Sequence, residues 1–242
     1  MIVQIHQENK GLLEAFFQQV DHPQLLKIQA HYRAYGLQYP FCSFFVAEQD
    51  AVMALIHGVL LVYAKEFQPE YNEFFQWCGA GSISMNPVEG VRLPLAECRT
   101  GNLMVCNNPV STSGISLSNG TIEQAFQILQ QTFPEEYSQQ SHDSWYCEMS
   151  HYIRHGVSKL FVTPGQATAT LFCENSKLAV LNQIAVSPSL QGKGKGSQFV
   201  GSLVNYLLHE KKSVWVYSRN QRTDRFYQRL GFVTIEQWCE YR

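Results

Sequence analysis

Apolar positions in the second half of the chain run first with a strand period, stop at a cluster of glycines, and resume with a helix period. Leu178-Ala-Val-Leu-Asn-Gln-Ile-Ala-Val186 is short, apolar and closed by Pro188, which predicts a buried strand. Phe199, Val200, Leu203, Val204, Leu207 and Leu208 recur at i, i+1, i+4, i+5 and predict one buried helix face. Upstream, Gly101 to Cys106 reads as a strand. Thr121 to Phe133 places Ile122, Ala125, Phe126, Leu129 and Phe133 on one helical face, and Asp143 to His155 reads as a second helix. Strands follow at Lys159 to Thr163 and Ala167 to Cys173, separated by the turn signal Pro164-Gly165. Strands alternating with helices predict an α/β fold with a mixed sheet.

The segment between the buried strand and helix is Ser187-Pro-Ser-Leu-Gln-Gly-Lys-Gly-Lys-Gly-Ser197. A helix start has amides without intrahelical partners and carries the positive end of the dipole, so it can hold an anion if no side chain blocks the approach. Gly192, Gly194 and Gly196 remove such side chains and tolerate positive φ. The spacing is neither a Walker A loop nor a dinucleotide fingerprint, since Gly-x-x-x-x-Gly-Lys-Ser/Thr is missing and the glycines alternate. A flexible basic turn is the competing explanation.

Gln191, Gly194 and Gly196 form Gln-x-x-Gly-x-Gly after a strand ending Ala-Val-x-Pro, and a second motif follows. Ser213-Val-Trp-Val-Tyr217 alternates like a strand, then come Asn220 and Thr223-Asp-Arg-Phe-Tyr-Gln-Arg-Leu-Gly-Phe232. Together these resemble the acetyl-coenzyme A loop and the Asn-x-x-Ala-x-x-x-Tyr-x-x-x-Gly-Phe signature of the GCN5-related N-acetyltransferases (GNAT), with Thr223 where alanine is usual. The resemblance covers residues 178 to 232. It implies the mixed-sheet acyl-CoA N-acyltransferase fold, with acetyl-CoA as cosubstrate and no metal.

By that resemblance, the pyrophosphate rests on the amides of Gln191, Gly192, Lys193, Gly194, Lys195, Gly196 and Ser197, with the two lysines adding charge. The pantetheine arm pairs with Ile184, Ala185 and Val186, where a backbone amide polarises the thioester carbonyl. An acceptor amine attacks directly. Asn220 helps hold the cofactor or the strand opening, and Tyr227 matches the tyrosine that protonates the departing thiolate. A phenol of pKa about 10 stays protonated at neutral pH and can donate to a thiolate whose acid has a pKa of about 8.5. A core aromatic beside Phe226 and Leu230 is the other role open to Tyr227. Candidates for the base are water relayed by Asn182 or Gln183, and Glu174, His151 or His155. The acceptor is an amine-bearing small molecule or protein.

Composition fits this class. Of 242 residues, 45% are hydrophobic and 16% charged, as in globular proteins, and the net charge of -2 argues against a nucleic-acid partner. No apolar run approaches the roughly 20 residues that span a bilayer, and Gln4, His6, Gln7 and Glu8 interrupt any signal-peptide core, so a cytoplasmic protein without a membrane partner is expected. Seven cysteines without a Cys-x-x-Cys pair read as reduced thiols. Cys147, His151 and His155 would share one helical face, open to zinc, to core packing or to an acceptor pocket. The oligomeric state is not encoded in any pattern found.

The amino-terminal portion repeats the element order weakly: helix-like at Gly11 to Tyr35, a strand pair at Cys42 to Ala47 and Ala51 to Ala64, and a helix at Pro69 to Trp77. This predicts either a degenerate GNAT-like half over 1–95, with the GNAT domain at 101–242, or an unrelated helical and hairpin cap. Gly79-Ala-Gly81-Ser is too short to repeat the glycine loop, so one cofactor site is expected, and Pro87 to Pro109 is the expected junction. A coenzyme A-binding regulatory module without turnover and a structural interaction domain are the alternative functions.

Overall fold

Pro23 divides the helical stretch of residues 11–35 into α1 (Gly11–Gln19) and α2 (Pro23–Tyr35). Proline is tolerated in a first helical turn because its missing donor would be unpaired there, and the His22 ring accepts the Gln24 amide at 3.1 Å as the cap. His57 and Gly58, at φ 48° and 78°, likewise break the apolar run of residues 51–64. Where one strand was expected there is a hairpin, β3 (Ala51–Ile56) and β4 (Val59–Ala64), because two successive positive φ values match the twist of a two-residue turn.

The computed structural model describes residues 1–19, 21–48, 50–86, 97–138 and 142–242, so residues 87–96 of the expected junction lie outside it. The chain forms two units, Met1–Leu103 with Ser218–Asn220 and Thr234–Arg242, and Met104–Tyr217 with Gln221–Val233.

In the first unit, β1 (Ile2–Gln4), β2 (Cys42–Ala47), β3 and β4 pair antiparallel in that order. β4 and β5 (Ser82–Met85) are parallel, which requires a crossover, and α3 (Pro69–Trp77) lies in it. Met53, Leu60, Val62, Tyr71, Phe75, Ile83 and Met85 fill the core between them. The tail after Phe232 extends as β11 (Val233–Tyr241), and its residues Cys239–Tyr241 pair antiparallel with Met85–Ile83 of β5.

The second unit takes the end of β6 (Cys98–Cys106), then α4 (Ile122–Thr132), α5 (Pro134–Ser138), α6 (His142–Arg154), β7 (Lys159–Thr163), β8 (Ala167–Glu174), β9 (Leu178–Val186), α7 (Lys195–His209), β10 (Ser213–Ser218) and α8 (Gln221–Arg229). A capping box between Thr121 and Gln124 starts α4. The strand order β6-β10-β9-β8-β7 has β10 parallel and β8 antiparallel to β9, giving the mixed sheet expected from the sequence. On one face Phe199, Val200, Leu203, Val204 and Leu207 of α7 are buried with Tyr227 and Leu230; on the other α4 and α6 bury Phe126, Leu129, Trp145 and Met149. Each such side chain contributes about 1.5–3 kcal/mol. A charge at Leu203 would therefore disrupt the seating of α7 on the strands.

Candidate active site

β9 keeps two partners along only part of its length. Against β10 the register runs from Leu178↔Ser213 to Leu181↔Val216, and among the described residues no later pair joins these strands. Against β8, pairing continues to Val186↔Ala167. The stretch from Asn182 to Val186 thus has one paired edge and one edge released from its parallel neighbour. Within it, Thr168↔Ala185 and Thr170↔Asn182 set three steps of β9 against two of β8, a bulge of one residue. Gln183 adopts φ 49°, which is uncommon for a side chain larger than glycine. Its amide donates to Asn182 Oδ1 at 2.9 Å and its Oε1 accepts the hydroxyl of buried Thr170 at 2.8 Å.

The sides of the released segment alternate. Ala185 is buried against α4, whereas Ile184 and Val186 pack toward α7. A 3-10 turn at Pro188–Leu190 then leads into the glycine loop. Gly192 and Gly194 have φ 75° and 76°, and Gly194 is the N-cap of α7, with no side-chain cap bond. Among the described residues, the amides of Gly192 through Ser197 donate no backbone hydrogen bond. Gln191 differs from them. Its amide donates to Pro188 O at 3.3 Å and its carboxamide to Val186 O at 3.0 Å, so it braces the loop onto the end of β9. Gly196 also has a different role from the one its spacing suggested. A Cβ there would lie 3.3 Å from Val186 Cγ2 and 3.5 Å from the Phe226 ring, so the missing side chain serves helix–strand packing. At Gly192 and Gly194 a Cβ would meet nothing within 4 Å.

Tyr227, in α8, is 6% exposed and lies 5.2 Å, centroid to centroid, from both Phe226 and Phe232. Burial pushes its phenol well above the usual tyrosine range. No hydrogen bond joins its hydroxyl to another described residue.

Residues 122–232 match the family model described as Acetyltransferase (GNAT) family. These residues form a GNAT-family domain. The fold likeness extends across the whole chain. An acetyltransferase of the GNAT family from Colwellia psychrerythraea is 15% identical, with 100% of this chain and 98% of that one covered and a TM-score of 0.61. A GCN5-related N-acetyltransferase from Sphaerobacter thermophilus is 13% identical over 99% and 94%, with a TM-score of 0.63. A tandem GNAT protein from the clavulanic acid biosynthesis pathway is 10% identical over 100% and 97%, at 0.61. The last supports an arrangement in two GNAT-like halves. Comparison with curated proteins gives no match.

Within the GNAT domain, Val186, Gln191, Gly196 and Phe226 come together, and Tyr227 shares an apolar cluster with Ile184 and Val186. Asn220 is exposed at the residue preceding α8 and groups with the first unit. The candidate bases separate by position. Glu174 is opposite Ala179, near the start of β9, and its carboxylate bonds Lys159 at 2.7 Å and Lys212 at 2.5 Å. Glu174 is therefore toward the end of β9 away from Asn182–Val186. His151, in the last turn of α6, and His155, just beyond its end, have ring centroids 4.2 Å apart. Cys147 is exposed, and no group of three or more His, Cys, Asp or Glu among the described residues is arranged to hold a metal. No helix among the described residues is long and apolar enough to cross a membrane. The Thr170–Gln183 pair escaped the sequence reading; its signal was the polar Asn182-Gln183 step inside an apolar strand.

Proposed function

We propose that the chain is an N-acetyltransferase that moves the acetyl group of acetyl-CoA to a primary amine by direct attack in a ternary complex. The observation that carries this reading is the release of Asn182–Val186 from β10, directly ahead of a helix start whose amides are unused. An extended chain bearing amides, such as pantetheine, can bond the free edge at Ile184, Ala185 and Val186. An anion such as pyrophosphate can take the amides of Gly192, Lys193, Gly194, Lys195, Gly196 and Ser197, with Gln191 holding the loop in place. The hydroxyl of Tyr227 fits a group that must give a proton to a thiolate, because burial keeps it protonated. The thioester supplies the acyl group and a thiol leaving group. The chain's part is to orient it, to polarise its carbonyl from a β9 amide, and to return a proton to sulfur.

Residues 101–242 are read as the domain that carries this site, with Asn220 steadying the cofactor or the strand opening, and 1–95 as a GNAT-like half without a cofactor loop. A second reading, a coenzyme A-binding module without turnover, is favoured by the position of Glu174, paired opposite Ala179 and engaged by Lys159, away from Asn182–Val186.

Thermal denaturation with acetyl-CoA, followed by release of free thiol in the presence of a panel of amines, separates the readings. Stabilisation with amine-dependent thiol release supports the enzyme. Stabilisation with no release under any amine supports the binding module. Neither effect removes the cofactor site altogether.

A further inference from the structure

A cleft of about 470 Å³ opens in the first unit where the turn between β2 and β3 meets the start of α3. That volume is in the range of small-ligand sites. Glu48 and Asp50 line it from the turn, and Glu70 and Tyr71 from the first turn of α3. The Tyr71 ring packs beside Phe67 and Phe75, and the residue is 1% exposed. No hydrogen bond joins its hydroxyl to another described residue. Burial, and then the charges of Asp50, Glu70 and Glu48, push its phenol up to about 12, so the hydroxyl is the end of the side chain that meets the carboxylates. A buried hydroxyl is stabilised by gaining a partner, and here the partner must come from the cleft.

The charge of the cleft points the same way. The Met1 ammonium is 3.2 Å from Glu48 and 2.8 Å from Glu70, but Asp50 forms no ion pair with another described residue. Lys65 does not answer it: its amide donates to the Asp50 carbonyl at 2.8 Å, while its ammonium lies over the Phe16 ring, 5.2 Å from the centroid. An acid in the first turn of α3 suits the helix dipole, which accounts for Glu70. Glu48 and Asp50 come from another element. We propose that this cleft binds a linear aliphatic polyamine, with one ammonium at Asp50 and the Tyr71 hydroxyl and the next along the wall toward Glu70. An ammonium carries three N–H donors, which carboxylate and phenol oxygens both accept. A metal ion fits less well, because no group of three or more His, Cys, Asp or Glu among the described residues is arranged to hold one, so the carboxylates stand apart along the wall. Ala47 and Pro69, which also line the cleft, suit a methylene stem. The inference does not depend on the acetyltransferase reading.

Calorimetric titration of the full chain with spermidine at low ionic strength tests it, beside butylamine and magnesium chloride at matched ionic strength. One spermidine should bind per chain, more tightly than butylamine, and magnesium should not displace it. Asp50→Asn should weaken binding about three- to tenfold, the range for one lost hydrogen bond, with little change in Tm. Tyr71→Phe keeps the ring, deletes the hydroxyl and should weaken binding by a similar factor. Glu135→Gln removes an exposed carboxylate from α5 of the second unit and should change nothing, which separates a site from general attraction to acidic surface. Should Tyr71→Phe fold poorly, Asp50→Asn decides, since that side chain is in no ion pair. Wild-type affinity in Asp50→Asn would refute the cleft and place any bound amine elsewhere on the chain. Equal weakening by Glu135→Gln, displacement by magnesium, or no binding by the wild type would overturn the proposal as well.

Discussion

The side-chain amide of Gln191 donates to the carbonyl of Val186 at 3.0 Å, tying the middle of the glycine loop to the last residue of β9. The two parts of the proposed cofactor site are thereby held at a fixed separation. Replacing Gln191 by Leu keeps bulk and removes the donor. We expect about a three- to tenfold loss of coenzyme A affinity by calorimetry, with the Tm nearly unchanged. Equal affinity in both proteins would show that the loop needs no tether.

Gly194 and Gly196 should fail in different ways. At Gly194, φ 76° penalises any side chain by about 1–2 kcal/mol, but space is open, so Gly194→Ala should cost a modest amount of stability. At Gly196 the backbone suits other residues, and a bulky side chain must displace Val186 or the Phe226 ring. Gly196→Leu should therefore lower the Tm more than Gly194→Ala, in the range of about 1–3 kcal/mol for overpacking. Urea denaturation ranks them. The reverse order would mean that Gly196 is not a packing glycine.

Tyr227→Phe removes only a hydroxyl that makes no hydrogen bond to another described residue, so stability and coenzyme A affinity should stay close to wild type. If the hydroxyl protonates the thiolate, the rate under conditions where chemistry limits turnover should fall about 10²- to 10⁴-fold. An undiminished rate would assign the proton to water and leave Tyr227 as core.

His31 predicts a pH dependence of folding. Burial, aided by Lys27 and His57, holds its pKa down to about 3, against 6.5 for a free imidazole. Between those values the unfolded chain takes up a proton that the folded chain refuses, so stability falls as pH drops from 6.5 toward 3. The loss is on the order of 4 kcal/mol at the lower end. His31→Gln should flatten this part of the urea-midpoint profile while leaving the pH 7 to 8 region parallel to wild type. Identical slopes below pH 6 would show that His31 does not set them.

Much of the second unit was legible because its elements announce themselves locally. Lys159–Thr163 has the predicted bounds, and the apolar stripe of α7 is buried as expected at Phe199, Val200, Leu203, Val204 and Leu207, with Leu208 only partly so. Local pattern could not show what depends on backbone geometry or distant pairing. The hairpin at His57–Gly58 needed two positive φ values that a histidine does not advertise. The packing role of Gly196 depends on Val186 and Phe226, neither of which its spacing to Gly194 reveals. Nor does composition mark β11: its exposed Val233 and Ile235 look like surface, while its pairing partner in β5 is some 150 residues away in sequence.

That distance has a consequence for how the protein is made. Until Thr234–Arg242 have been synthesised, β5 lacks its antiparallel neighbour and presents an open strand edge, the kind of surface on which unrelated chains add and aggregate. The half that is translated first is thus completed last. A nascent chain stalled anywhere in the GNAT domain would carry an unfinished amino-terminal sheet, dependent on chaperones however well its own hairpins had formed.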